Sequence, residues 1–193
     1  MALAHWTEVL AFWFGAADAP EFGRERGCWF EKSPDFDALI RARFLATHEA
    51  AAAGTLRLWA QSPLAALALV IALDPLPRNM FRGTPQAFAT DPMALGVARA
   101  MVERGFDEAL LPVQRWFAYL PFEHAEELAA QRESLALFER LRGDPGSAGT
   151  IAFAARHHAI VARFGRFPHR NAILGRASTA EELAFLAQPG ASF

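Results

Sequence analysis

The amino-acid sequence predicts an all-α protein built from antiparallel helical hairpins, arranged as a bundle or a solenoid. Three observations carry that prediction. Almost every patterned segment repeats its apolar residues at helical spacing, and none sustains the alternation with a β-branched bias that a strand needs. Segments open on Ser-Pro or Asp-Pro and close on Gly, the residues that start and stop helices. The stretches between them are short, which turns each helix back along the one before it.

The composition sets the scale. A chain of 193 residues with 53% hydrophobic residues, 17 Phe and 5 Trp suits one folded domain, 1–193, with a substantial core. A net charge of −2 offers no general attraction to nucleic acid. The single cysteine, Cys28, forms no internal disulfide and fits a reducing compartment. The opening MALAHWTEVLAFWFG carries Glu8 and lacks a basic leader, so it reads poorly as a signal peptide. The apolar run Leu64 to Leu73 is too short to cross a bilayer. The expectation is a soluble, cytoplasmic protein that binds neither membrane nor nucleic acid.

The elements follow in order. Thr7 to Phe14 is a short aromatic helix ended by Gly15, followed by a loop to about Pro34. Pro34 to Ala53 is a helix with Leu39, Ile40 and Phe44 on one face and Gly54 as its stop. Ser62-Pro63 combines a capping hydroxyl with Pro at the first helical position. The helix that follows is apolar all round, which places it at the centre of the core, and it stops at Asp74-Pro75-Leu76-Pro77. Asp91-Pro92 opens the next helix and Gly105 closes it. Further helices are predicted over about 112–120 and 121–142, the second broken by Gly143-Asp144-Pro145-Gly146. Ser147 to Phe164 ends at Gly165, and Ser178-Thr179 with Glu181 and Glu182 has capping-box spacing for a last helix.

Polar residues on apolar faces mark where chemistry could sit. On the predicted 121–142 helix, His124 and Gln131 share a seam with Leu128, Leu135 and Phe138. Both are expected to be buried and hydrogen-bonded, because an unpaired buried polar group costs about 1–3 kcal/mol. Satisfaction by a loop carbonyl or an arginine is the structural reading; a pocket at His124 is the functional one. His157 falls with Ile160, Val161 and Phe164 and reads as a packed core histidine. His158 lies among Ala154, Ala162 and Gly165, where space remains, and is the better site candidate. His124 and His158 are thus the candidate catalytic residues. No His-Glu-x-x-His and no Glu-x-x-His pair occurs, so no metal site is predicted, and no cofactor or covalent nucleophile is indicated.

The two corners Leu76–Thr84 and Arg166–Arg176 share residue types. Arginine beside a helix end can bond the last carbonyls, and Asn79 and Asn171 suit tight turns, so each corner reads as a clamp. A surplus of charge is left over. Arg78, Arg82, Arg115, Arg163, Arg166 and Arg170 outnumber the nearby carboxylates Asp74 and Asp91, which are expected to serve Arg78 and Arg82. If the corners meet, the remaining guanidinium groups would hold an anion, with Arg78, Asn79, Arg82, Arg115, His124, His158, Arg166, His169, Arg170 and Asn171 as the ligand-binding set.

The stretches LDPLPRNMFRGTPQAFATD, YLPFEHAEE and HHAIVARFGRFPHRNAILGRASTAEE also resemble the bacterial family named domain of unknown function 924, from FWFG at Phe12 to the final helix. That resemblance implies a tetratricopeptide-like, right-handed helical array and brings no reaction or ligand with it. Two positions depart from the family pattern: Pro75-Leu76 stand where it has Gln-Phe, and Ala125 where it usually has Ser. Any polar chemistry carried by that Gln or Ser would be missing here.

Three functions fit the sequence: a pocket for a small phosphorylated or carboxylated ligand, an enzyme that works on such a ligand with histidine acid/base chemistry, and a helical scaffold for a peptide or protein partner. The oligomeric state is left open.

Overall fold

The computed structural model describes residues 3–191. Among them are nine α-helices and no strand: α1 (Trp6–Phe14), α2 (Pro34–Ala52), α3 (Pro63–Leu73), α4 (Pro75–Met80), α5 (Asp91–Glu103), α6 (Pro112–His124), α7 (Leu128–Glu139), α8 (Ala148–Phe164) and α9 (Ala180–Leu186). Helices pack mainly on neighbours one and two along the chain. α1 lies on α3, α2 on α3 and α4, α3 on α5, α5 on α6, and α6 on α7 and α8. No helix is long and apolar enough to cross a membrane.

The all-apolar α3 is the central element, as its composition requires. Its residues Ala65 through Leu73 are all buried, and it touches α1, α2, α4, α5 and α6. Each Leu, Ile or Val so enclosed contributes about 1.5–3 kcal/mol. Burying a helix end strands carbonyl groups, and here two side chains take them up. His48 bonds the carbonyl of Ala72 at 2.9 Å and Thr90 donates to that of Leu73. Ser62 does not cap α3 with its hydroxyl; Pro63 at the first position, which has no N–H to satisfy, is the feature that starts it.

The end of α1 is closed in the same way. Arg26 donates to the carbonyls of Phe12 and Trp13, and Trp29 Nε1 donates to Trp13. These bonds fold the 15–33 segment, which contains a 3-10 turn at Gly27–Trp29, onto an aromatic cluster of Trp13, Phe14, Trp29 and Phe117.

α3 stops at Leu73, where the sequence places its end, and Pro75 and Pro77 occupy the first turn of a new helix, α4, where missing N–H groups cost nothing. The next boundary differs from the sequence expectation: Pro121 does not break the chain. It sits near the end of α6, which continues to His124. The break comes at Ala125–Glu127, where Ala125 is extended. The single seam drawn through His124, Gln131 and Leu128 is therefore two helices, and Leu128 is exposed. Gln131, fully buried on α7, donates from Nε2 to the carbonyls of Glu123 at 2.6 Å and Ala125 at 2.8 Å. It caps α6 from outside and replaces the bonds that the chain break removes. At the other end of the chain the capping box at Thr179 and Glu182 forms as the spacing predicts.

Candidate functional site

The site is built where four helix ends converge. Asp74 sits between α3 and α4, with its carboxylate fully buried. One turn on, Arg78 reaches back from α4 and donates to Asp74 through Nε at 3.2 Å. Its Nη2 also meets both oxygens of Asp91, the first residue of α5, at 2.9 Å. From the last turn of α6, His124 Nδ1 lies 2.9 and 2.8 Å from the two oxygens of Asp74. An ionised carboxylate only accepts, so Nδ1 carries the proton and Nε2 presents a lone pair.

Arg170 closes the site from the 168–170 turn. Its Nη1 approaches Asp91 Oδ2 at 3.4 Å, and its guanidinium carbon lies 4.7 Å over the Phe88 ring and 4.5 Å over the Phe167 ring. Arg78 lies over the same Phe88 ring at 5.3 Å. The two corners read from the sequence thus meet, joined through Asp91 and Phe88. Behind them, Glu123 and His157 form a second buried pair at 3.1 Å. His157 Nδ1 also bonds the carbonyl of Phe153, so it too carries its proton at Nδ1.

Burial governs the ionisation of this cluster. Desolvation, with repulsion from Asp74, pushes the Glu123 carboxyl up to about 8. Desolvation also pulls His124 down to about 4, with Arg78 adding to it, and His157 down to about 3. At neutral pH both members of the Glu123–His157 contact are uncharged, so it is not an ion pair. Burial works to raise Asp74, but Arg78 and His124 prevail and hold it well below the usual carboxylate range. For Asp91 burial prevails over Arg78, and its carboxyl rises to about 6. Desolvation and the neighbouring Arg78 pull Arg170 down to about 10. The charged groups are therefore Asp74 and Asp91 against Arg78 and Arg170, which balance.

The remaining candidates take other places. Arg82 pairs with both oxygens of Asp37 on α2 at 2.7 and 2.8 Å, so the expectation that Asp74 and Asp91 would serve Arg78 and Arg82 is corrected: Arg170 takes the second place. Asn79 donates to the carbonyl of Pro75 and accepts from Arg82. Asn171 likewise donates to Ser178 and accepts from Arg176. These are the clamps that the two similar corners suggested. Arg115 caps the 106–110 turn through the carbonyls of Glu108 and Leu110, and Arg166 pairs with Glu182 at 2.7 and 2.9 Å. Neither is held in reserve for an anion. His169 lies beside Phe167 with ring centroids 5.6 Å apart, and burial lowers it to about 4. His158 is partly buried on α8 and has no hydrogen bond, ion pair or ring contact to the cluster among the described residues. The histidine of this helix that joins the site is His157, whose ring centroid lies 6.2 Å from that of His124.

Sequence reasoning passed over Glu123, Phe88 and the Glu126–Arg176 pair. Glu126 accepts from the N–H of Phe167 at 2.7 Å and pairs with Arg176, which fastens the Arg170 loop to the end of α6. Glu123 had a readable signal. It falls four residues after Tyr119 and seven after Trp116, on the buried stripe of α6, but a helix ended at Pro121 hides that relation. Among the described residues no group of three or more His, Cys, Asp or Glu is arranged to hold a metal ion. A depression of about 360 Å³ is lined by His169 with Pro168, Ala172, Leu183 and Leu186, and another of about 350 Å³ lies between α5 and α7 against Phe122 of α6.

The fold and this buried charged centre define an all-helical protein whose polar groups converge on one interior point. The chain belongs to the bacterial proteins of unknown function (DUF924), whose family model matches residues 9–190. No curated protein matches it. Among solved structures it is similar to a protein of unknown function from Agrobacterium tumefaciens, at 40% identity over 94% of this chain and 96% of the other, with a TM-score of 0.83.

Proposed function

We propose that the protein binds a small anionic molecule, carboxylated or phosphorylated, at Arg170, with Arg78 and His124 beside it. The observation that carries this reading is the incomplete pairing of Arg170. Its side chain is only 6% exposed, its contact to Asp91 is the long one, and its Nε is enclosed without a partner among the described residues. A buried donor left unpaired is costly, and a ligand oxygen would satisfy it. Arg78, Asp91 and His124 keep 19%, 15% and 15% of their side chains accessible, which supports a route from solvent to the cluster. A reducing, cytoplasmic setting suits the free Cys28.

Thermal unfolding tests the reading. Phosphate or acetate at about a hundred times its dissociation constant stabilises the wild type by roughly 2.7 kcal/mol, a rise of several degrees. The same anions leave Arg170→Gln unchanged and still raise Arg166→Gln. Equal shifts in all three proteins would refute anion binding at Arg170.

A second reading rests on its own observation, the Asp74–His124 pair. A histidine held at Nδ1 by a buried carboxylate presents Nε2 as a proton acceptor, the arrangement of a general base. Under this reading the bound anion is a substrate. Turnover of a panel of phosphate and carboxylate esters, abolished in His124→Gln with anion binding retained, would separate an enzyme from a binding protein.

A further inference from the structure

We propose that the depression between α9 and the 168–172 turn binds a small neutral molecule, one with an apolar body and a single hydroxyl or carbonyl oxygen. This is a second site, formed by other side chains than those at Arg170, and it stands independently of anion binding there. α9 is held by the face that carries Glu182 and Phe185: Glu182 pairs with Arg166, and the Phe185 ring lies 5.1 Å from that of Phe164. Leu183 and Leu186, three residues apart on the same short helix, line the depression with Pro168 and Ala172. Leu183 keeps 58% of its surface accessible, so the protein's own packing does not consume this wall. An apolar ligand body would take that surface out of water. The walls are set before any ligand arrives. The capping box at Thr179 fixes the start of α9, Arg176 donates to Asn171, and Arg166 donates to the carbonyl of Ala177. Little ordering is then left to oppose binding. A volume of about 360 Å³ lies at the small end of ligand pockets and suits a single-ring compound.

The polar groups choose the head of the ligand. Ser178 Oγ accepts from Asn171 Nδ2 at 3.0 Å and keeps its own proton to donate. Gln188, exposed at the rim, offers an amide. No Asp, Glu, Lys or Arg lines the depression, and His169, which burial lowers to about 4, is neutral at pH 7. An ion entering here would shed water without gaining a charged partner. Outside the lining, the Arg156 guanidinium comes within 2.8 Å of the place where a side chain at Gly190 would begin, so a ligand whose head reached it would be an anion instead.

Titration with benzyl alcohol, followed by methyl NMR at pH 7, tests this, with benzoate and benzylamine as charged analogues of the same body. Benzyl alcohol should shift the Ala172 and Leu183 methyl signals saturably and leave those of Leu58 and Leu128, exposed elsewhere on the surface, in place. Benzoate and benzylamine should bind about tenfold more weakly, because each must desolvate a charge. Ala172→Trp, at an exposed position, fills the depression and should abolish the Leu183 shift. Ser178→Ala should weaken binding about fivefold, the worth of one neutral hydrogen bond. Shifts that fail to saturate, that also appear at Leu58 and Leu128, or that survive Ala172→Trp would overturn the site. Unchanged binding in Ser178→Ala would remove its hydroxyl from the site, and benzoate binding as tightly as the alcohol would overturn the neutral class. None of these results bears on Arg170, which the Arg170→Gln comparison tests separately.

Discussion

His124 donates from Nδ1 to a carboxylate fifty residues earlier in the chain, Asp74, which is wholly enclosed. The pair ties the end of α6 to the junction of α3 and α4, and it draws Arg78 and Asp91 into one buried unit. Removing one partner leaves the others uncompensated. Asp74→Ala should cost about 3–5 kcal/mol, as for other broken buried ion pairs. Pairing it with Arg78→Met should recover part of that loss, since the Arg78 Nε stranded by the loss of Asp74 is removed with it. Urea unfolding of both variants checks this, and a double variant no more stable than the single one would show that the two residues act separately.

The ionisation of the cluster gives the folded state a pH optimum. His124, His157 and His169 are neutral when folded, with folded values of about 4, 3 and 4 against 6.5 unfolded. Their contribution is lost as pH falls from 6.5 toward those values, because the unfolded chain binds the protons. Glu123 acts in the opposite sense. Raised to about 8 from 4.5, it contributes stability that is complete below 4.5 and lost as pH rises through 8. Asp91, raised to about 6 from 3.8, adds to Glu123 over a lower window. The slopes oppose each other and cross between about pH 6 and 7. Chemical unfolding across pH 5 to 9 should therefore show a maximum there, and Glu123→Gln should flatten the alkaline limb. A maximum above pH 8 would contradict the neutral Glu123.

Gln131 is the external cap of α6. Gln131→Leu should cost about 1–3 kcal/mol by stranding the carbonyls of Glu123 and Ala125. Leu128→Ala, at an exposed position of the same helix, should change stability by less than about 0.5 kcal/mol. Similar costs for the two would mean that Gln131 acts only through volume.

Glu126 fastens the loop that carries Arg170. Glu126→Gln weakens the bonds to Arg176 and to the N–H of Phe167, and amide exchange at Phe167 should then quicken relative to the α3 core. Unchanged exchange at Phe167 would show that other contacts hold the loop.

Most of the architecture was legible because it is local. Ser33-Pro34, Asp91-Pro92, Gly165 and the Thr179–Glu182 box each fix a boundary from within a few residues. The misread boundaries depend on distant partners. Pro121 is tolerated because Gln131 and the packed α6 face continue the helix past it, and no local pattern announces that. The site was legible in its parts and not in its pairings. Arg78, Asp74, Asp91, His124 and Arg170 were all candidates, and the corner similarity brought the two arginine segments together. Which arginine Asp91 would share, and that Asp37 would take Arg82, depends on how α2 lies against α4, a packing relation with no trace in sequence spacing. His157 rather than His158 enters the site because α8 turns its buried face toward α6, which also could not be read from α8 alone.

Anion binding at Arg170 is tested most directly by the side-chain Nε–H signals of the arginines, followed by NMR as acetate is added at pH 6. The Arg170 signal should shift saturably, because its Nε is the enclosed donor without a partner among the described residues. The Nε–H signals of Arg82 and Arg166, bonded to Asp37 and Glu182, should stay in place and serve as internal controls. An Arg170 signal that does not move, or one that moves in step with both controls, would contradict a ligand site at this residue.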